Sequence, residues 1–426
     1  MSRLVVHIGM PMTGSSSIQE TLFAKGMHEG WRYADLGVPN HSGVLLSIFS
    51  TNPLTWQGQQ TVGSGLDEAK EVNQRFEKRL EEVKGSAGQQ ILSGEGVFHL
   101  DEAGLERLRA YFQEAFDTIE VIGYVRPPAS FMASAFVQLV KNRGQARLSF
   151  QKLWPRYRAK LEKFDRVFGR EHVTLRPFCP HQLTDGDIVQ DFCQFLGAPI
   201  DPAEVRSVND SLSLEAAAAL FVYRREGPCY QAYPGNIADN NRLVNLLAGF
   251  GEREFRFSDA LVRPVMEREA ADLEWIETRL GVPLRDAGST DAGAICCEQD
   301  LLDVAEKSRE GLSDFVREQT QQVDPTPQRI ANWVEKLRVT VSGRASNGVT
   351  PSPYEGRQFF TPEQVRRLTG EKMGPATALR ELAVAYERKN LPDEALTFAQ
   401  AALKLRPDSA DLRQLNERLR SAVNRS

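Results

Sequence analysis

The chain is short of cysteine, histidine and long apolar runs, and each shortage removes a class of protein. Its five cysteines (Cys179, Cys193, Cys229, Cys296 and Cys297) are odd in number and lack metal-ligand spacing. They read as reduced thiols, the adjacent Cys296-Cys297 pair included, and not as a disulfide framework. The six histidines form neither an HxxxH nor an HExxH arrangement, so no zinc site is expected. No run of eighteen apolar residues occurs, which excludes a membrane-spanning helix at this level. Lys plus Arg number 52 against 57 Asp plus Glu, a net charge of −5, and no basic run stands out. Neither nucleic acid nor an anionic membrane surface is therefore an expected partner. A strand pattern begins at Leu4, leaving no room for a signal peptide, so the expected location is cytoplasmic.

What the chain does have is length, and at 426 residues two or more folding units are expected. It is organised around residues 4 to 22. Leu4 to Ile8 form a short apolar, β-rich run of the kind that makes a buried parallel strand. Gly9 to Ser17 then supply Gly, Pro and small hydroxyl residues, and a helical pattern opens at Ile18. Strand, tight loop and helix make a cradle in which backbone N–H groups and the positive end of the helix converge on an anion. Hydroxyls at Thr13, Ser15, Ser16 and Ser17 add side-chain donors. The alternative is an ordinary tight turn. The spacing Gly9-x4-Gly14-Ser15-Ser16 is that of a nucleotide-binding P-loop, but Ser15 stands where that motif has lysine.

A second strand, Ile119 to Val125, ends at Arg126-Pro127-Pro128 and is followed by a helical pattern over Ala129 to Lys141. Arg126 stands at the strand exit and Ser134 two turns into that helix. An arginine suits an anion through its bidentate fork and permanent charge, and the alternative is that Arg126 caps the strand and Ser134 packs in the helix.

Together the two segments resemble bacterial-type sulfotransferases that use 3′-phosphoadenosine 5′-phosphosulfate (PAPS). The first is similar to the family's 5′-phosphosulfate loop, G-x-P-K-[ST]-G-[ST]-[ST]. Gly9, Pro11, Thr13, Gly14, Ser15 and Ser16 match, while Met12 stands where the family has lysine. The second is similar to the 3′-phosphate motif R-x-P-x5-S through Arg126 and Ser134. The resemblance covers about residues 1 to 286. It implies an α/β fold with a parallel sheet flanked by helices, and PAPS as co-substrate with no metal. Donor contacts would come from Pro11, Met12, Thr13, Gly14, Ser15, Ser16 and Ser17 at one end and from Arg126 and Ser134 at the other.

Along the rest of the chain, strand–helix alternation through Gln90 to Ser93 and Arg126 also implies a parallel sheet, with ligands beyond the strand carboxyl ends. Residues 51 to 66 have loop composition around Trp56, forming either an acceptor wall or a surface loop. Residues 147 to 168 read as mostly helical with a start at Pro155, and 259 to 280 as one helix. Gly227 to Arg242 read as an acceptor-lining or merely connecting loop. Three regions follow: 1–286, the sulfotransferase-like domain; 287–356, a helical linker region with two helices over 299 to 338; and 357–426, an all-α extension. In the last, Leu379, Leu382, Ala383, Tyr386, Ala395, Ala402 and Pro407 resemble a single tetratricopeptide repeat. A lone repeat cannot bury its apolar face, so self-association, a protein partner or packing on neighbouring helices is expected, unless the segment is an ordinary hairpin.

Two residues suit the role of base for a hydroxyl-bearing acceptor: Glu95, between two glycines at a strand end, and His41, in an Asn-His-Ser turn. Related carbohydrate sulfotransferases use a glutamate. The acceptor would be a carbohydrate, lipid or small metabolite. Lys25 and Lys141 are the cations nearest the motifs that could stand in for the lysine absent at position 12. The competing readings are a catalytically impaired adaptor that binds adenosine 3′,5′-bisphosphate, and a P-loop phosphoryl-transfer enzyme.

Overall fold

The computed structural model describes residues 2–51, 66–86, 88–150, 153–208, 211–227, 234–291, 293–320, 329–342, 374–388 and 392–423. The chain divides into two compact units, Met1–Ser346 and Asn347–Ser426.

The first unit is α/β. Among the described residues six strands form one sheet in the order β2-β3-β4-β1-β5-β6. They are β1 (Arg3–His7), β2 (Met27–His28), β3 (Trp31–Tyr33), β4 (Gln89–Ser93), β5 (Thr118–Val125) and β6 (Val173–Pro177). β2 is antiparallel to β3, and the remaining pairings are parallel. β1 is central, with Val5 opposite Ile91 on one side and Glu120 on the other. Successive side chains of a strand point to opposite faces. Leu4, Val6 and Ile8 accordingly join one core, and Val5 joins a second with Ile91, Ile122 and Tyr124. Burial on both faces explains why the run is apolar without alternation.

Parallel neighbours need crossovers, and helices supply them. α1 (Ser15–Lys25) follows β1; α2 (Ser42–Phe49) and α3 (Leu66–Gly85) precede β4; α4 (Glu102–Gln113) precedes β5; α5 (Pro128–Arg143) and α6 (Tyr157–Phe168) precede β6. α7 (Ile188–Leu196) packs with α1 on the second core through Val189, Phe192, Ile18 and Leu22. Helix starts are set by identifiable caps. Pro128 opens α5, whose first N–H groups, those of Ala129 and Ser130, are taken by the Asp286 carboxylate at 2.7 and 2.8 Å. Asp272 likewise accepts from the N–H groups of Tyr157 and Arg158 and from the Trp154 indole. For that reason α6 begins at Tyr157, two residues after the expected start at Pro155 and well inside the span 147 to 168.

α8 (Leu214–Glu226) has the buried run Ala216 to Ala219 and is apolar all round, so it needs cover on several sides. α5 packs on it, as do α12 (Glu298–Lys307) and α14 (Ile330–Ser342); α13 (Arg309–Thr320) packs on α14. The segment beyond Asp286 thus belongs to the first unit as far as Ser346 and contributes Leu301, Val304, Trp333 and Leu337 to its main core. Among its described residues it carries three helices where two are expected.

Two further expectations change. The segment 227 to 242 is not all loop: α9 (Pro234–Leu247) starts at Pro234, and Asp239 and Asn240 on it are buried. The span 259 to 280 is two helices, α10 (Asp259–Arg268) and α11 (Ala270–Leu280), broken at Glu269, whose φ and ψ of −98° and 18° leave the helical region. The expected loop at 51 to 66, with Trp56, falls almost wholly outside the described residues.

The second unit contains α15 (Pro375–Arg388), α16 (Pro392–Leu405) and α17 (Ala410–Val423). Ala383, Ala395 and Ala399 are fully buried with Leu415 and Leu419, and the rings of Tyr386 and Phe398 lie 5.1 Å apart. Small side chains there let the helices approach closely. Among the described residues of either unit, no helix is long and apolar enough to cross a membrane.

Candidate active site

The loop after β1 lies at the carboxyl end of the central strand, where an open α/β sheet presents its crevice. Two of its residues adopt the left-handed conformation, Met12 at φ 67° and Gly14 at φ 71°. Glycine at 14 avoids strain and also a clash, since a Cβ would lie 2.9 Å from Ile188. Gly9 is more tightly constrained: a Cβ there would fall 2.2 Å from the Ser15 hydroxyl and 3.1 Å from His7 Nε2. Gly9→Ala is expected to cost about 1–3 kcal/mol through overpacking. Thermal unfolding measures that cost, and an unchanged midpoint would show that the loop yields freely.

The loop hydroxyls divide by role. Thr13 donates to the Met10 carbonyl at 2.7 Å, and Ser17 accepts from the Val208 N–H at 3.1 Å, so both hold the loop in shape. Ser15 and Ser16 line a cavity of about 340 Å³ together with Met12, Gly14, Glu95, Arg126, Ser134 and Lys141. Pro11 is half-buried and does not line it. The Ser15 Oγ is buried without a hydrogen-bond partner at the start of α1. A buried hydroxyl in that condition is costly unless something accepts from it or donates to it. An anion on the N-terminus of α1 would meet that need.

Arg126 leaves the end of β5 and its Nη1 donates to the Met12 carbonyl at 2.6 Å. The guanidinium lies 5.7 Å from the Phe178 ring centre, and the Arg126 carbonyl accepts from the Tyr157 hydroxyl at 2.7 Å. Burial pulls its pKa down, while the Asp286 and Glu254 carboxylates oppose that shift. Arg126, Ser134, Val137 and Ser211 also border a second cavity of about 420 Å³. Its walls include Glu254, Asp286 and the rings of Phe255 and Phe257. The two segments marked out by the sequence therefore meet at one place.

The two candidate bases part company. Glu95 opens a 3₁₀ turn (Glu95–His99) just after β4 and lines the first cavity. His41 lines neither cavity. It is fully buried, its Nδ1 accepts the Ser93 N–H at 3.1 Å, and its backbone N–H donates to the Ser93 carbonyl. Burial drives its pKa down to about 3. A neutral imidazole sealed against the Tyr33 ring, at 4.7 Å, joins α2 to β4 and has no route to an acceptor.

Sequence reasoning missed the layer beneath the loop. His7 is fully buried in β1 with Nδ1 2.8 Å from the Ser93 hydroxyl, which also accepts from Gln19 at 3.2 Å. Its Nε2 has no partner. A histidine ending an otherwise apolar strand was the available signal. Of the two candidate cations, Lys25 pairs with Glu204 at 2.6 Å and lines neither cavity, whereas Lys141 lines the first.

No family model matches the chain, and no curated protein does. Among solved structures, the crystal structure of a sulfotransferase from Alicyclobacillus acidocaldarius aligns at 17% identity with a TM-score of 0.30. The alignment covers 52% of this chain and 91% of that one.

Proposed function

We propose that the first unit is a sulfotransferase that takes a sulfuryl group from PAPS to a hydroxyl-bearing acceptor. The observation that carries this reading is the contact of Arg126 with the Met12 carbonyl, which brings both anion-binding segments to one cavity. The α1 N-terminus, Ser15 and Ser16 hold the donor's 5′ end. Arg126 and Ser134 hold its 3′-phosphate, Arg126 by charge-assisted hydrogen bonds. Phe255 and Phe257 in the adjoining cavity give the base an apolar wall, and Glu254 offers a hydrogen-bond acceptor. The donor supplies an activated sulfuryl group carrying less negative charge than a phosphoryl group. Backbone and side-chain dipoles fixed in advance can stabilise its transfer. Glu95 takes the proton from the acceptor hydroxyl as the new S–O bond forms and the S–O bond to the donor's 5′-phosphate breaks, with adenosine 3′,5′-bisphosphate as the leaving group.

The first test is calorimetry of adenosine 3′,5′-bisphosphate against ATP on the full chain. The bisphosphate is expected to bind and ATP to bind at least tenfold more weakly, because Arg126 and Ser134 select a 3′-phosphate. Equal binding would overturn the reading in favour of a phosphoryl-transfer enzyme. Glu95→Gln is expected to keep the bisphosphate affinity while lowering sulfuryl transfer from labelled PAPS by about a hundredfold. Transfer that is unchanged in this variant would remove Glu95 as the base. Met12 favours one other reading, a bisphosphate-binding module without turnover, which the same assay identifies by binding without sulfate release.

A further inference from the structure

The loop carries Met12 where an anion cradle gains most from a cation, yet the cavity is not short of positive charge. The charged side chains lining it, among the described residues, are Glu95, Arg126 and Lys141. Lys141 belongs to the last turn of α5, and its relative exposure is only 7%. Val137 and Gln138 lie three and four residues after Ser134, Lys141 lies four and three after them, and all line the cavity, so one face of α5 looks onto it. Seven residues of helix place the Lys141 backbone about 10 Å along the axis from Ser134. The cavity therefore has a guanidinium and an ammonium contributed by well-separated positions.

The position of that lysine is fixed from behind. The Lys141 carbonyl accepts from Arg224 Nη2 and from Asn240 Nδ2, each at 3.0 Å, and Arg224 Nε donates to the Val140 carbonyl at 3.0 Å. Arg224 also donates to Asn240 Oδ1. Both of these side chains are buried. α8 and α9 thus clamp the end of α5, a site where a helix carbonyl would otherwise lack an intrahelical donor. The backbone from which the Lys141 side chain springs is thus held in place by two buried donors.

Resting on the sulfotransferase reading above, we infer that Lys141 supplies the positive charge that position 12 lacks, so that the donor's 5′ anion is held between the α1 N-terminus and the Lys141 ammonium. Lys141 is then an anion-binding residue, and Arg224 and Asn240 are positioning residues for it. The same charge reaches the same anion from the helix after β5 in place of the loop after β1.

Relocating the charge tests this. Bisphosphate affinity is measured by calorimetry on the full chain in the wild type, Lys141→Met, Met12→Lys and the double variant, with thermal unfolding as a check on folding. Lys141→Met is expected to weaken binding at least tenfold. Met12→Lys combined with Lys141→Met is expected to recover affinity to within a few-fold of wild type, which loss of a merely structural lysine would not allow. Sulfuryl transfer from labelled PAPS is expected to fall 10²- to 10³-fold in Lys141→Met, as for loss of one preorganised donor, and to rise again in the double variant. Wild-type affinity in Lys141→Met, or no recovery in a folded double variant, would overturn the inference while leaving the sulfotransferase reading intact. Absence of bisphosphate binding by the wild type would instead overturn that reading. If Lys141→Met unfolds, Lys141→Gln takes its place, with the same expected loss and the same rescue.

Discussion

Arg126→Ala is expected to weaken adenosine 3′,5′-bisphosphate binding by about 30- to 1000-fold, or roughly 2–4 kcal/mol. Two losses combine in that figure. The guanidinium is the charged group that lines both cavities near Ser134, and it also ties the loop to β5 through the Met12 carbonyl. Removing it deletes a charge-assisted contact to the ligand and frees a loop whose Met12 is held at positive φ. Lysine should not restore binding, because a single ammonium cannot hold the Met12 carbonyl and a phosphate in the same fixed fork. Ser134→Ala, which removes one neutral donor, should cost only about 1 kcal/mol. Calorimetry on the three variants gives the ranking, and unchanged affinity in Arg126→Ala would remove the 3′-phosphate assignment.

Those two segments were legible in the sequence because their signals are local. An apolar run, a small-residue loop and a helix onset need no knowledge of the rest of the chain, and the same holds for the strand before Arg126. Lys25 and Lys141 were equally close to the motifs, and only tertiary structure separates them: Lys25 turns to Glu204, while Lys141 is directed by a helix face seen from outside its own segment. His41 illustrates the converse. Its Asn-His-Ser context suits an exposed turn, but pairing of its backbone and ring with Ser93 takes it into the core.

The organisation beyond Asp286 was hidden for a different reason. Composition shifts there toward small and charged residues, which suggests a linker. The compensating signal sat far away, in the buried alanines of α8. A helix apolar on every side needs neighbours on every side, and α12 and α14 are among them. The helix from Pro234 was masked by its amides and by the tyrosines before it, although proline at a first helical position was a legible start.

The unit should also lose stability in mild acid, well before its carboxylates protonate. His7 and His41 are fully buried, and burial lowers both pKa values to about 3 from 6.5. The nearby Ala34 backbone and Asp35 work against the shift at His41 without cancelling it. Between those values the unfolded chain binds protons that the folded one refuses, so stability rises with pH across the window. The contribution is complete above about pH 6.5 and is lost as pH falls toward 3, at about 1.4 kcal/mol per pH unit for each histidine. At pH 5 the pair accounts for a loss of about 4 kcal/mol, comparable with a large share of the stability of an ordinary domain. Denaturant unfolding between pH 7.5 and 5 reads this directly, because ordinary carboxylates are still ionised there. His7→Gln with His41→Gln should flatten the slope, at some cost to stability at pH 7. Stability that stays level from pH 7 to 5 in the wild type would mean that the two rings reach solvent or a charged partner. The consequence for function follows from position. Ser93 binds both rings, and the unpartnered His7 Nε2 faces Gly9. Across this window the fold keeps His7 neutral beneath the loop after β1, so nucleotide binding should be lost only where the fold itself is lost, in the same pH window.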